Sequence, residues 1–238
     1  MDTKPYEILS WDTDFFGCKV AKVNLNNLDY QSLTDVIKEL KNDGVQWVYG
    51  FGNNECAFAQ ELGGLLVDEK TTYLTNTLKL STQLLPYANV IPYPHSTPTP
   101  ELYELALESG KYSRFLIDPK SGFENFKRLY YKWMENCVNK QIALETFIYQ
   151  VDNKIVGFIA VGEKNKRGDL IIAAIDPKLQ GKGIGTQLYH TGCQFLLNKG
   201  FSTIQAVIQS QNIPIIKLYS KIGLEKIEKI EYVYHFWL

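Results

Sequence analysis

The 238-residue chain has little that would hold a metal, cross a membrane or grip a nucleic acid. Its four cysteines (Cys18, Cys56, Cys137 and Cys193) lie far apart and form no Cys-x-x-Cys pair. That usage reads as reduced thiols in a cytoplasmic protein. The three histidines, His95, His190 and His235, fall in different predicted elements, so no metal site is expected. A net charge of −1 provides no basic field to recruit nucleic acid or an anionic membrane. No run approaches the roughly 18 apolar residues of a membrane span. Met1-Asp2-Thr3-Lys4-Pro5-Tyr6 lacks the apolar core of a signal peptide. Internal repeats and low-complexity tracts are also missing.

What is present is core-forming. With 45% hydrophobic and 13% aromatic residues, the chain can bury one large domain or two smaller ones. Five prolines between Pro86 and Pro100 suppress regular structure and mark a linker, with a boundary expected within Ser81 to Pro86. The expected organisation is therefore an N-terminal mixed α/β domain over 1–85 and a second domain over 86–238. Before the linker, the pattern predicts strands over Phe16 to Leu25, Val45 to Phe51 and Tyr73 to Leu80. Helices are predicted over Asp29 to Lys41, with Leu33, Val36, Ile37 and Leu40 on one face, and over Asn54 to Leu62. Trp11, Phe15 and Phe16 are expected in the N-terminal core. After the linker come helices over Thr99 to Ser109 and Phe123 to Val138, then a hairpin, Thr146 to Val151 and Ile155 to Gly162, turning at Asp152-Asn153. A strand over Asp169 to Ile175, a helix reaching Lys199, a strand over Phe201 to Gln209 and a helix over Asn212 to Ile222 follow. Two closing strands are predicted, Leu224 to Ile230 and Tyr232 to Trp237.

The most informative segment is Ile175-Asp176-Pro177-Lys178-Leu179-Gln180-Gly181-Lys182-Gly183-Ile184-Gly185-Thr186. A strand precedes it, and a helical pattern of Ile184, Leu188, Thr191, Phe195 and Leu196 follows. Glycines let backbone N–H groups approach an anion closely, and the first N–H groups of a helix have no intrahelical partner. The segment therefore reads as a pyrophosphate site. It is not a P-loop, because Lys182 precedes Gly183 rather than Ser or Thr. Nor is it a dinucleotide fingerprint: Thr186 stands where the third glycine belongs, and Ala206-Val207-Ile208-Gln209 offers no acidic residue at the next strand's end.

Gln180-Gly181-Lys182-Gly183-Ile184-Gly185 fits Gln/Arg-x-x-Gly-x-Gly/Ala and resembles the acetyl-CoA loop of the GNAT superfamily of N-acetyltransferases. The order of predicted elements from Ile91 to Leu238 is similar to that superfamily's. The resemblance implies an α/β (α+β) GNAT fold with a central mixed, splayed sheet, and acetyl-CoA as co-substrate without a metal. It implies that backbone groups of Ala174 and Ile175 pair with the pantetheine arm. Gln180, Gly181, Lys182, Gly183, Ile184, Gly185 and Thr186 then belong to the pyrophosphate loop. Asn212 caps a helix, contacts the cofactor, or both. It also implies Tyr219 as the proton donor to the departing thiolate, although Ile215, Tyr219 and Ile222 share a helical face, which is also the pattern of a core residue. Asp118, Glu145 and Asp169 stand as carboxylates in plausible elements without an assignable base among them.

Two further stretches, Trp11-Asp12-Thr13-Asp14-Phe15-Phe16-Gly17 and Glu108-Ser109-Gly110-Lys111-Tyr112-Ser113-Arg114-Phe115, resemble the dTDP-fucosamine acetyltransferase group. That resemblance implies a nucleotide-linked 4-amino-4,6-dideoxyhexose as acceptor, with Arg114 for its diphosphate and Tyr112 for its base. Structural roles for Arg114 and Tyr112 are equally open. So are two other readings: acetylation of a different amine or a peptide, and a non-catalytic coenzyme A-sensing module. Oligomeric state is left open, a homodimer among the options.

Overall fold

A computed structural model describes residues 4–76 and 87–238. In chain order the elements begin β1 (Tyr6–Ile8), α1 (Ser10–Phe16), β2 (Val20–Asn24), α2 (Tyr30–Asn42), β3 (Trp47–Gly52), α3 (Ala57–Glu61) and β4 (Leu65–Asn76). They continue with β5 (Val90–Pro92), α4 (Pro100–Ser109), α5 (Arg114–Ile117), α6 (Phe123–Val138), β6 (Glu145–Val151) and β7 (Lys154–Lys164). The last are β8 (Arg167–Ile175), α7 (Ile184–Asn198), β9 (Thr203–Gln209), α8 (Ile213–Ile222) and β10 (Lys226–Trp237). The expected boundary within Ser81 to Pro86 lies outside the described residues.

The chain forms two compact units. One is assembled from three separate stretches: Met1–Lys70, Ser113–Asn125 and Lys229–Leu238. Its strands run in the order β1-β2-β3-β10. β2 pairs parallel with β3, and the end of β10 pairs antiparallel with β3 from Tyr232↔Gly52 to Trp237↔Trp47. The α2 helix starts where expected because the Asp29 carboxylate accepts the Ser32 N–H at 2.8 Å, an N-cap. Leu33, Val36 and Leu40 form its buried stripe against Ala21, Val23 and Val48.

Two expectations fail in this unit. Phe16 lies in α1 rather than in a strand, and Gly17, at φ 70°, ends that helix by donating to the Thr13 carbonyl at 2.9 Å. Trp11, expected in the core, is 51% exposed and stacks on Phe15 with ring centroids 4.8 Å apart. A buried polar tie joins two of the three stretches. Asp118 Oδ2 meets His235 Nδ1 at 2.7 Å and accepts from Trp237 Nε1 at 2.9 Å.

The other unit comprises Thr71–Tyr112 and Phe126–Glu228, with strands in the order β9-β8-β7-β6-β5. β6 and β7 form the expected hairpin; Asp152 (φ 49°) and Asn153 (φ 61°) both take the left-handed conformation that a tight two-residue turn requires. The proline-rich stretch is not wholly irregular. Val90–Pro92 adds to β6 as the edge strand β5, a position where a proline's missing N–H costs no ladder bond. Ile159, Val161, Leu170, Leu188, Leu196 and Ile204 form its main core between sheet and helices. The two closing strands expected from the sequence are one continuous strand, β10, since no glycine or proline interrupts Lys226 to Trp237.

Candidate functional site: a splayed strand facing a glycine-rich helix start

The site lies entirely within the second unit. β8 bonds to β7 along its whole length, from Lys164↔Arg167 to Gly157↔Ile175. Its other edge pairs with β9 only at Gly168↔Ile204, Asp169↔Gln205 and Leu170↔Ala206. The parting coincides with a bulge. Val161 pairs with Leu170 and Ala160 with Ile172, which leaves Ile171 as the extra residue. From Ile171 to Ile175 the strand therefore offers one backbone edge that no described strand covers, ready to take an extended amide-bearing chain.

At the end of this edge the chain turns. The Asp176 carboxylate accepts the Lys178 N–H at 2.9 Å, and Pro177–Leu179 makes one turn of 3₁₀ helix. Gly181 (φ 78°) and Gly183 (φ 82°) then adopt left-handed conformations, and Gly183 caps α7 without any side-chain hydrogen bond to the helix. A Cβ on either glycine would meet nothing within 4 Å, so backbone conformation demands these glycines. Gly185 is different: its Cβ would sit 3.0 Å from Ile175 Cδ1 and 3.3 Å from Leu218 Cδ2. It lets the first turn of α7 pack against β8 and α8.

These elements enclose a cavity of about 320 Å³. Ala173, Ala174 and Ile175 line it from β8, with Phe158 opposite on β7. Gln180, Gly181, Gly183, Gly185 and Thr186 line it from the loop and the start of α7. Asn212, Pro214, Ile215 and Leu218 close the far side, and Glu108, Ser109 and Lys111 come from the end of α4. The fit to coenzyme A is good on the residues themselves. An open strand edge suits the amides of a pantetheine arm, and an uncapped helix N-terminus with two left-handed glycines suits a pyrophosphate.

Of the residues singled out in the sequence, Ala174, Ile175, Gln180, Gly181, Gly183, Gly185, Thr186 and Asn212 line this cavity; Lys182 and Ile184 do not. Ile184 is buried in the core instead. Gln180 Nε2 donates to the Ile175 carbonyl at 3.4 Å. Asn212 stands at the N-cap of α8 but makes no capping bond with its side chain, which leaves its amide to the cavity.

Tyr219 is 2% exposed and sits behind the cavity wall rather than on it. Its ring lies edge-on to Tyr189, 5.5 Å between centroids, and to Tyr73, 5.7 Å. The two rings are in direct contact, and Tyr189 does line the cavity. Burial pushes both phenols above the ordinary tyrosine range, so both remain proton donors. Sequence reasoning missed Tyr189, although it follows Gly185 by one helical turn and so shares its face.

The other candidates have surroundings of their own. Asp169 is held by Gln205 Nε2 at 3.0 Å, with burial pushing its carboxyl up, and Glu145 pairs with Lys140 at 3.0 Å. Neither lines the cavity. In the first unit, the Arg114 guanidinium lies over the rings of Tyr49 (4.3 Å) and Phe115 (4.6 Å). The nearby Asp12 is raised by burial, against the opposing pull of Arg114 and Tyr49. Among the described residues, no group of three or more His, Cys, Asp or Glu side chains is placed to hold a metal, and no helix is long and apolar enough to cross a membrane.

The profile of the Acetyltransferase (GNAT) family matches residues 88–224, more than half of the chain. The chain belongs to that family. Its fold agrees: a GNAT N-acetyltransferase from Sphaerobacter thermophilus superposes with a TM-score of 0.58 at 11% identity, over 98% of this chain and 76% of that one. A functionally unknown conserved protein from Staphylococcus epidermidis gives 0.68 at 12% identity, over 99% and 92%. In sequence, the chain is 24% identical over 144 residues to the spore coat polysaccharide biosynthesis protein SpsD of Bacillus subtilis. It is 24% identical over 207 residues to the mycothiol acetyltransferase of Brachybacterium faecium. The matches cover 60% and 78% of this GNAT chain, but it spans only 49% and 57% of the length of those relatives.

Proposed function

We propose that this chain is an N-acetyltransferase that moves an acetyl group from acetyl-CoA to the amino group of a nucleotide-linked amino-dideoxy sugar. One observation carries the first half: the uncovered edge of β8 and the uncapped start of α7 open into the same cavity. Acetyl-CoA supplies an acyl group activated as a thioester. Backbone groups of Ala174 and Ile175 would orient its pantetheine arm. Gly181, Gly183, Gly185 and Thr186 would offer N–H groups to its pyrophosphate, with Gln180 and Asn212 as side-chain contacts and Lys182 adding positive charge. Phe158, Leu188 and Ile215 make the neighbouring wall apolar and keep water off the reacting carbonyl. Tyr219, with Tyr189 beside it at the wall, would hold a proton for the sulfur as it departs.

The acceptor rests on other support. The Trp11-to-Gly17 and Glu108-to-Phe115 stretches are similar to the dTDP-fucosamine acetyltransferase group, and the Bacillus subtilis relative is named for polysaccharide biosynthesis. A nucleotide far from the reacting amine supplies binding energy that positions that amine. A second reading, a small-molecule amine outside the nucleotide sugars, is favoured by the mycothiol acetyltransferase match, which covers more of the chain.

The test is thiol release from acetyl-CoA with dTDP-4-amino-4,6-dideoxygalactose, its glucose epimer, the free sugars, a polyamine and a peptide. The nucleotide sugars should react fastest and the free sugars much more slowly. Faster turnover of the polyamine or peptide would overturn the acceptor assignment. Acetyl-CoA binding without turnover of any amine would mean a sensing module.

A further inference from the structure

Among the described residues, the cavity lining contains one carboxylate, that of Glu108; Lys111 and Lys221 are its other charged members. Glu108 sits in the last turn of α4, next to Ser109, whose hydroxyl donates back to the Ala106 carbonyl at 2.5 Å. The helix end is pinned from behind. A Cβ on Gly110 would lie 2.6 Å from carbons of Phe126 and Tyr130, so α4 and α6 touch there with no room for a side chain. The backbone that carries Glu108 to the cavity is thus held in place, although it belongs to a short and otherwise ordinary helix.

Glu108 already holds a primary ammonium. Lys111 Nζ lies 2.7 Å from its Oε1 and 5.5 Å from the centre of the Tyr112 ring. A carboxylate on one side and an aromatic face on the other is how a protein recognises an alkylammonium. The pair is partly exposed, with side-chain accessibilities of 25% for Glu108 and 39% for Lys111, so opening it costs little. An incoming ammonium can take the place of the Lys111 group without displacing a buried structure.

We infer that Glu108 is the receptor for the acceptor's ammonium and takes its first proton, with Lys111 as an internal occupant that the substrate displaces. This deepens the acetyltransferase reading and rests on it. The acceptor class follows from the chemistry: a primary amine that arrives protonated. Its ammonium gives one proton to a Glu108 oxygen. The freed lone pair forms the new N–C bond as the C–S bond of the thioester breaks. Tyr219 gives its proton to the departing sulfur and is restored by the amine's second proton, and Glu108 returns its own proton to water.

The experiment uses Glu108→Gln and Lys111→Met in the full chain, with dTDP-4-amino-4,6-dideoxygalactose and spermidine as acceptor probes. Gln keeps the shape and loses the charge; Met keeps most of the apolar stem and removes the competing ammonium. Glu108→Gln should lower kcat/KM by roughly 10- to 100-fold, the worth of a charged hydrogen bond, with acetyl-CoA affinity by calorimetry unchanged. Lys111→Met should lower the acceptor KM by roughly two- to fivefold, the worth of an exposed ion pair. Opposite effects from two members of one ion pair are not what a structural contact gives. Wild-type turnover of a probe with a Glu108→Gln kcat/KM within twofold of wild type overturns this inference alone; acetyl-CoA binding without turnover of either probe overturns the acetyltransferase reading on which it rests. Failure of the wild type to bind acetyl-CoA overturns the underlying reading as well.

Discussion

Substituting Gly183 by Asp separates folding from anion binding. Gly183 sits at φ 82°, where an L-residue costs about 1–2 kcal/mol. No clash adds to this, since a Cβ there meets nothing within 4 Å. The new carboxylate stands at the N-terminus of α7, where the helix dipole returns about 0.3–1 kcal/mol. The net loss of stability should therefore stay below about 2 kcal/mol. Anion binding responds oppositely. A carboxylate within ~5 Å of a phosphate charge costs about 0.8–3 kcal/mol for an effective dielectric between water and a protein surface, or roughly 4- to 150-fold per charge. Two phosphate charges compound the effect. Calorimetry should show acetyl-CoA binding to wild type and almost none to Gly183→Asp, with thermal midpoints a few degrees apart. Gly183→Ala, which has the strain without the charge, should keep most of the affinity. Equal binding by wild type and Gly183→Asp refutes the loop assignment. Loss of binding by Gly183→Ala would place the effect in the backbone rather than in charge.

Tyr219→Phe retains the ring against Tyr189 and Tyr73 and should lower kcat by roughly 10²–10⁴-fold with little change in melting temperature; near-wild-type turnover would make Tyr219 a core residue only. Acid should weaken the protein through His235, which burial lowers from 6.5 to about 4 against the opposing bond to Asp118. Between those pH values the unfolded chain binds a proton that the folded one refuses, so stability is full above pH 6.5 and falls by ~3 kcal/mol towards pH 4. Urea unfolding at both pH values should show a smaller acid loss in His235→Gln, and equal losses would refute that assignment. Arg114→Ala should raise KM for a nucleotide-linked acceptor while leaving acetyl-CoA affinity intact; an unchanged KM would leave Arg114 a structural role, including its place over Tyr49 and Phe115.

Residues whose chemistry permits few alternatives were legible in the sequence. Gly181 and Gly183 need φ values that only glycine adopts readily, and Asp29 and the Asp152-Asn153 turn are local signals with local causes. The α6 helix reads directly from its stripe, and its ends match the expected Phe123 to Val138. The splay of β8 from β9 was expected only by resemblance, because a sequence shows a strand but not where its pairing stops. Glu108 and Lys111 were passed over, since an i,i+3 charge pair at a helix end looks like any solvated surface. Trp11 was misplaced because an aromatic pattern says "bury" more often than "expose". The grouping of Ser113–Asn125 and Lys229–Leu238 with the N-terminal stretch depends on contacts more than a hundred positions apart, such as Asp118 to His235. No window of local pattern contains them.

The three-part construction of the first unit sets a timetable for the ribosome. Its earliest strands are made first, yet β3 lacks the partner Tyr232–Trp237 until that much later stretch is translated. At roughly 5–20 residues per second, the stretch between Lys70 and Lys229 takes on the order of 10–30 s to synthesise. During that interval the apolar faces of Val48 and Ala21 have no Tyr234 or Phe236 to cover them. The second unit has all its strands within reach before then, so it can close first, and the nascent N-terminal strands are the segment most in need of a chaperone. A ribosome stalled before residue 229 should carry a chain whose second unit resists protease while its first is cut.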